Sequence, residues 1–210
     1  MTYICSWKEM FVDPFVDVAF PLKGKTLPLD HGYALFGAVS RLLPVVHEQK
    51  EWGVFPVYGR RSGPGVLTLL PQSMLTLRLP AGKIGDVLAL SGSTLALDGH
   101  SVTVGIPRIF PLQPRPALQS RFVTIKKFHD DPAEFRAAVR RQLDECSVGA
   151  SASIVVGERR VLQVSSHTIV GFPVALDGLS ADESVRVQTR GIGGRRHMGA
   201  GLFLPLGRRA

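Results

Sequence analysis

The 210 residues suffice for one large domain or two small ones, and a composition 45% hydrophobic and 20% charged excludes an intrinsically disordered chain. Lys and Arg total 25 against 17 Asp and Glu, a net charge of +8, and 18 of the 25 basic residues are Arg. The excess is lopsided: residues 1–105 hold nine basic and eight acidic side chains (+1), residues 106–210 sixteen and nine (+7).

In chain order, the opening Met-Thr-Tyr-Ile-Cys-Ser-Trp-Lys-Glu-Met has no basic region followed by an apolar core, so no secretory signal is expected. Phe15 to Phe20 alternates as a strand does. Residues 22–29 read as a loop. Asp30 is a good N-cap, and Leu35, Phe36, Val39, Leu42, Leu43 and Val46 follow helical spacing, so a helix is predicted from His31, ended or kinked by Pro44. This stretch, Tyr33 to Val46, is also the longest apolar candidate. Arg41 and Pro44 break it well short of the ~18–20 residues a membrane span needs, so no membrane partner is expected.

Val54–Tyr58 and Val66–Leu70 read as strands around a turn at 59–65, and Leu75–Leu79 as a third. Ala81–Leu90 is a weak helix, and Thr94–Val104 a hairpin turning at Asp98-Gly99. Ile106–Ala117 holds four prolines in twelve residues, which excludes a helix or a central strand and suggests an extended connector. It falls where the charge balance changes. The predicted division is therefore 1–105, a linker at 106–119, and 120–210.

The second half runs strand (Arg121–Lys126), helix (Pro132–Cys146), hairpin (Ser153–Val156 with Val161–Val164, the pattern continuing towards Val170), helix (Ser180–Arg190) and strand (Leu202–Leu204). Ser180 and Glu183 have capping-box spacing. This is the ferredoxin-like order, and the first half resembles a decorated version of it. The predicted fold class is α+β, with two tandem ferredoxin-like domains. Two cysteines, Cys5 and Cys146, cannot build a disulfide framework or a Cys-based zinc site, and a reducing cytoplasm is expected.

Arginine's planar fork suits phosphate and base edges, so the Arg-rich half points to a polyanion, RNA or DNA first. Charge that merely keeps the chain soluble is the plain alternative. The segment Gly191-Ile-Gly-Gly-Arg-Arg-His-Met-Gly-Ala-Gly201 places Arg195, Arg196 and His197 among Gly191, Gly193, Gly194, Gly199 and Gly201. It lacks the Gly-Lys-Ser/Thr end of a Walker loop. It also follows a helix and enters a strand, the reverse of a dinucleotide fingerprint. A loop gripping a nucleic-acid backbone fits it, as does a flexible connection with solvated charges.

A glycine-rich loop before the last strand of a ferredoxin-like domain resembles the RAMP superfamily of CRISPR-associated proteins. Asp30-His-Gly-Tyr-Ala-Leu-Phe-Gly-Ala38 and Ser120-Arg-Phe-Val-Thr-Ile-Lys126 are similar to the repeat-processing endoribonuclease, the sixth Cas family, in its compact myxobacterial-type branch. That resemblance implies a two-domain enzyme that cuts CRISPR precursor RNA once per repeat, without metal or other cofactor, leaving a 2′,3′-cyclic phosphate and a 5′-hydroxyl. It implies as partners the repeat RNA, the mature guide RNA and other Cas subunits of a type I surveillance complex. A non-catalytic RAMP subunit that binds guide RNA is the alternative.

RNA cleavage by its own 2′-hydroxyl needs a base, an acid and positive groups near the phosphate. His titrates in the right range. His31, where the first helix begins and the dipole favours a neutral ring, is the candidate base, and the resemblance implies a catalytic His there. His47, beyond Pro44, is its rival or a solvated helix end. Tyr33 either orients the nucleophile or packs. Lys23 and Lys25 stabilise phosphate charge or are simply solvated. His100, His129 and His167 have no metal-ligand spacing, so no metal site is expected. Arg136, Arg140 and Arg141 stripe the helix from Pro132, where they contact RNA or form a solvated face.

Overall fold

The computed structural model describes residues 13–128, 131–164 and 167–207. The predicted roles of Cys5 and His129 lie outside these residues, as does the side chain of His167.

The first half is built on β1 (Phe15–Lys23), whose Val16 to Phe20 are all buried. After β2 (Thr26–Pro28) come α1 (Gly32–Leu42), α2 (Val45–Glu48), β3 (Gly53–Val54), β4 (Gly59–Gly63), β5 (Val66–Leu69) and β6 (Met74–Pro80). Then follow α3 (Ile84–Val87, with 3-10 turns on both sides), β7 (Thr94–Leu97), β8 (His100–Val104) and β9 (Arg108–Pro111). The main sheet runs β3-β6-β1-β8-β7, with β9 also on β1; β2, β5 and β4 form a separate three-stranded sheet. α1 buries Leu35, Phe36, Ala38 and Val39 in a core with Phe20, Trp52, Leu75, Leu77 and Leu79. The spacing of those helix positions, one apolar face per turn, is what puts them there.

The second half comprises β10 (Leu118–Val123), α4 (Pro132–Glu145), β11 (Ser153–Val156), β12 (Arg160–Val164), β13 (His167–Asp177), α5 (Ala181–Arg190) and β14 (Leu204–Pro205). Its sheet runs β11-β13-β10-β14. Phe135, Val139 and Leu143 of α4 and Val187 of α5 pack with Val123, Phe172, Val174 and Phe203 in a core of its own. Both halves are ferredoxin-like. The Ser180–Glu183 capping box forms, and the Glu183 carboxylate also accepts from the Gly149 N–H at 2.7 Å. These backbone hydrogen bonds hold its pKa down at about 2. No helix among the described residues is long and apolar enough to cross a membrane.

Five elements differ from the sequence reading. Residues 26–28 are a strand, because they pair with Val66–Thr68 of β5. The predicted turn at 59–65 is mostly β4, a strand with no apolar residue to betray it, and the turn shrinks to Pro64-Gly65, where Gly65 has φ +69°. The predicted strand at 54–58 shrinks to β3, whose ladder pairs Gly53 and Val54 with β6 and stops ahead of Pro56. Part of the proline-rich connector is β9, pairing Val16–Ala19 of β1 as an edge strand, where proline at the ends costs no ladder bond. Finally, β11 and β12 do not pair with each other. Both pair with the eleven-residue β13.

A buried ion pair of the first half reaches across to the second. Asp17 and Arg78 face each other in the β1–β6 register and are 1% and 0% exposed. The guanidinium donates from Nε and Nη2 to the two carboxylate oxygens at 2.7 and 3.0 Å. Its Nη1 donates to the carbonyls of Gln188 (3.0 Å) and Phe203 (2.7 Å) in the second half, and the Phe55 ring lies under it. Arg78→Ala leaves a buried carboxylate without its cation, and its expected cost is ~3–5 kcal/mol of unfolding free energy. Arg78→Lys should recover only part of that, since an ammonium cannot fork to the carboxylate and still reach two carbonyls. Urea denaturation of the three proteins checks this; an Arg78→Ala protein as stable as wild type would contradict it.

Candidate active site

A cleft opens between the halves. The start of α1, the chain from Pro56 to Gly59, β10, β12 and the glycine-rich loop all contribute to it. Asp30, His31, Tyr33, Tyr58, Arg121, Arg160 and Arg195 are its polar lining. Tyr33 is 45% exposed, and Arg121, Arg160 and Arg195 reach solvent. Arg160 Nη1 donates to the Arg121 carbonyl at 3.4 Å, which brings the two guanidinium groups into one patch. Partial burial and the charge of Arg160 lower the Arg121 pKa. Asp30 is the one acidic residue of the lining. Arginines gathered with so little compensating charge suit a ligand that brings its own negative charge.

His31 is in the cleft, but it is not the free base that the sequence suggests. It is 4% exposed and precedes α1 as its cap residue. Nδ1 donates to the Pro28 carbonyl at 2.8 Å, and Nε2 accepts from the Val57 N–H at 2.8 Å. That pair of bonds defines the neutral Nδ1–H tautomer and occupies both nitrogens. The pKa is lowered, as expected, but burial is the main cause rather than the helix dipole. In the resting structure His31 bolts the α1 start to β2 and to the 56–59 segment.

His47 does not line the cleft. It is exposed on α2, its ring stacked on Phe36 at 5.7 Å. Lys23 and Lys25 flank the β1–β2 turn, outside the lining. Arg140 is committed elsewhere: it pairs with Asp144 and donates to the carbonyls of Val148 and Gly149 at the end of α4. Arg136 is exposed, and Arg141 lies over the Phe128 ring at 5.0 Å.

Most glycines of the loop serve packing, while Gly194 is exposed and a Cβ on it would meet nothing within 4 Å. A Cβ on Gly193 would meet the Thr124 carbonyl at 2.3 Å, and one on Gly201 the Ile192 carbonyl at 2.1 Å. Gly191, Gly193, Gly199 and Gly201 all have positive φ. The N–H groups of Gly191, Gly193, Gly194, Gly199 and Gly201 all donate within the protein. Arg196 is 8% exposed and donates to the carbonyls of Thr189 (2.7 Å) and Arg190, closing the C-terminus of α5. Burial, then the nearby Arg78, lowers its pKa to about 10. His197 donates from Nε2 to the Gln49 carbonyl at 2.8 Å and stacks on Phe36, fastening the loop to the first half. Of the loop's charged residues only Arg195 faces the cleft.

Sequence reasoning missed Tyr58, Arg121 and Arg160. Arg121 did leave a trace: it sits between buried Ser120 and Phe122, so strand alternation puts it on the open face of β10.

Tandem ferredoxin-like halves closed on each other, with a glycine-rich loop ahead of the last strand, are the architecture to be compared with known proteins. The family pattern described as Cas6 Crispr matches residues 16–208. A curated CRISPR-associated endonuclease Cas6 of Myxococcus xanthus (strain DK1622) is 43% identical over 204 residues, which cover 97% of this chain and 86% of that protein. Among solved structures, one of a Cas6-related gene product from Pyrococcus furiosus superposes with a TM-score of 0.61 at 12% identity, covering 93% of this chain and 99% of that one. An RAMP protein described as binding different RNA substrates gives 0.61 at 15% identity, with 90% and 98% covered. This chain belongs to the Cas6 family of CRISPR-associated endonucleases.

The lowered pKa of His31 carries a pH prediction. A neutral buried ring means that the unfolded chain binds the extra proton first. Stability is complete above about pH 6.5, the free-histidine value, and declines as pH falls towards the folded value. Thermal melts between pH 7.5 and 5 should show this decline in wild type and a shallower one in His31→Asn. Parallel curves would contradict the assignment.

Proposed function

We propose that this chain is an endoribonuclease that cuts CRISPR precursor RNA within each repeat, at the cleft between its halves. The 2′-oxygen attacks the adjacent phosphorus and the bond to the 5′-oxygen breaks. The products are a 2′,3′-cyclic phosphate and a 5′-hydroxyl, and the protein stays on the mature guide as a subunit with other Cas proteins. The observation that carries this reading is the convergence of Arg121, Arg160 and Arg195 on a cleft that also holds His31 and Tyr33, in a chain of this family. The Myxococcus relative named as an endonuclease supports cleavage.

The reading is metal-independent. It assigns the chemistry to side chains alone, the arginines, His31 and Tyr33 of the cleft. The arginines neutralise the charge that builds on the phosphate. His31 is the one imidazole in the lining. It accepts the 2′-hydroxyl proton in a state where substrate has displaced the Val57 N–H from Nε2, a tightening that apo geometry does not display. Tyr33, exposed beside it, orients the nucleophile or delivers a proton to the leaving 5′-oxygen.

The occupied ring of His31 favours a second reading, a RAMP subunit that binds guide RNA without cutting it. The experiment that separates the two is incubation with repeat RNA in EDTA. Cleavage with a cyclic phosphate on the upstream fragment is expected, and activity restored only by magnesium would reject the mechanism. His31→Ala should lose cleavage about a hundredfold or more while keeping affinity for RNA. Loss of affinity and of melting temperature together, with cleavage tracking them, would make His31 a structural bolt alone.

Arg195→Ala should weaken binding to all RNAs alike and flatten the log–log salt dependence by roughly 0.7, the share of one neutralised single-strand phosphate. Arg196→Ala should instead lower the melting temperature and leave that slope unchanged. Filter binding across a salt series reads both; equal slopes for Arg195→Ala and wild type would remove Arg195 from the phosphate path.

A further inference from the structure

The turn that follows Arg195 is wedged against the first half. This 3-10 turn, Arg196–Met198, closes on the Arg195 carbonyl, which accepts from the Met198 N–H at 2.9 Å. A Cβ on Gly32, the first residue of α1, would meet the Met198 carbonyl at 2.8 Å. A Cβ on Gly199 would run into the Pro56 ring, at the start of the segment that carries Tyr58. The His197 ring stacks on Phe36 of α1, centroid to centroid 5.0 Å. Contacts of this kind hold two surfaces close without fixing the angle between them.

His197 also makes a directional contact. Its Nε2 donates to the Gln49 carbonyl at 2.8 Å, across the boundary between the halves. That carbonyl sits just past α2 and also accepts from the N–H of Trp52, which is fully buried. The acceptor is therefore fixed to the first core, and a donor aimed at it sets the angle of the turn. His197 does not line the cleft, but Arg195, two residues earlier, does. Arg195 is exposed and held at φ +63°. The backbone of the turn thus decides where its guanidinium stands relative to His31 and Tyr33 at the start of α1.

We infer that His197 is a positioning residue for the cleavage reaction: its hydrogen bond to Gln49 registers Arg195 against the start of α1. The inference rests on the cleavage reading and adds the contact that holds the parts of that site in place. Cleavage needs the arginine's charge and the proton-handling groups of α1 on one phosphate at the same moment. A guanidinium out of register still attracts a phosphate, because Coulomb attraction falls off slowly with distance. It no longer stands where charge builds in the transition state. Loss of the His197 contact therefore shows in the rate of cleavage and not in affinity.

The test is single-turnover cleavage of repeat RNA by the full chain at saturating protein. Affinity is measured across a salt series with the same RNA carrying a 2′-deoxy nucleotide at the cut. His197→Ala should slow cleavage between about tenfold and a hundredfold, the scale of an ångström-sized misplacement. Its affinity and salt slope should match wild type. Added to Arg195→Ala, it should cost no further rate, because the two residues act as one unit. His197→Gln, whose amide nitrogen lies as many bonds from Cα as Nε2 does, should recover most of the rate. His197→Phe keeps a ring on Phe36 without a donor and should stay slow. A wild-type rate in His197→Ala, or losses that add in the double variant, would overturn the inference. So would equal rates for the Gln and Phe variants, or a fall in affinity that matches the fall in rate; the residue would then serve the fold alone. If His197→Ala does not fold, the Gln and Phe variants decide between these outcomes. All of them leave the cleavage reading standing, whereas failure of wild type to cut repeat RNA would remove that reading and this one with it.

Discussion

A guanidinium buried between two sheets holds this molecule in its working shape. Arg78 meets Asp17 within the first sheet, then directs its remaining donors at carbonyls at the end of α5 and just before β14. Each half has its own hydrophobic core, and a small apolar cluster of Phe55 with Leu202 and Leu204 lies between them. Hydrogen bonds are directional where apolar contact is not. Donors aimed at fixed acceptors in both halves set one angle between them, and the cleft is the gap that this angle leaves. His197 on Gln49 and Gly32 closed against the Met198 carbonyl add a second tie from the glycine-rich loop.

The same directionality explains the loop. Its glycines let the chain pass within touching distance of β10 and of its own opposite limb, and its N–H groups are used up in doing so. The loop is therefore a rigid mount. It buries Arg196 against the end of α5 and turns Arg195, held at φ +63°, out towards the cleft. Two neighbouring arginines take opposite roles because one finds unpaired helix carbonyls and the other finds solvent. In the cleft the electrostatics are one-sided: several guanidinium groups, one carboxylate and an imidazole kept neutral by burial. A phosphate entering there supplies the missing charge.

Much of this architecture was written in the local pattern. Helical spacing in 35–46 and 135–146, the Ser180–Glu183 box and the proline-rich midpoint were all legible, because each depends on residues within a turn or two of one another. So was the family resemblance carried by Asp30-His-Gly-Tyr and the glycine-rich loop. β4 was not legible: Gly-Arg-Arg-Ser-Gly has no alternation, and it is a strand only because β5 pairs with it. The true partner of β12 was equally hidden, since strand pairing is a contact between distant segments.

The sequence by itself determined that the chain is two ferredoxin-like halves with a basic second half, and it placed His31 and Tyr33 at the start of the first helix. Only the tertiary structure decided what those residues face. It occupied both nitrogens of His31, moved His47 and Arg140 out of contention, buried Arg196, and brought Tyr58, Arg121 and Arg160 to the cleft from three separate strands or loops. The physical reason is range. Helix propensity and capping act over a few residues and can be read along the chain. A side chain's protonation, burial and company depend on which distant backbone groups come within about 3 Å of it, and those are set only when the two sheets close on each other.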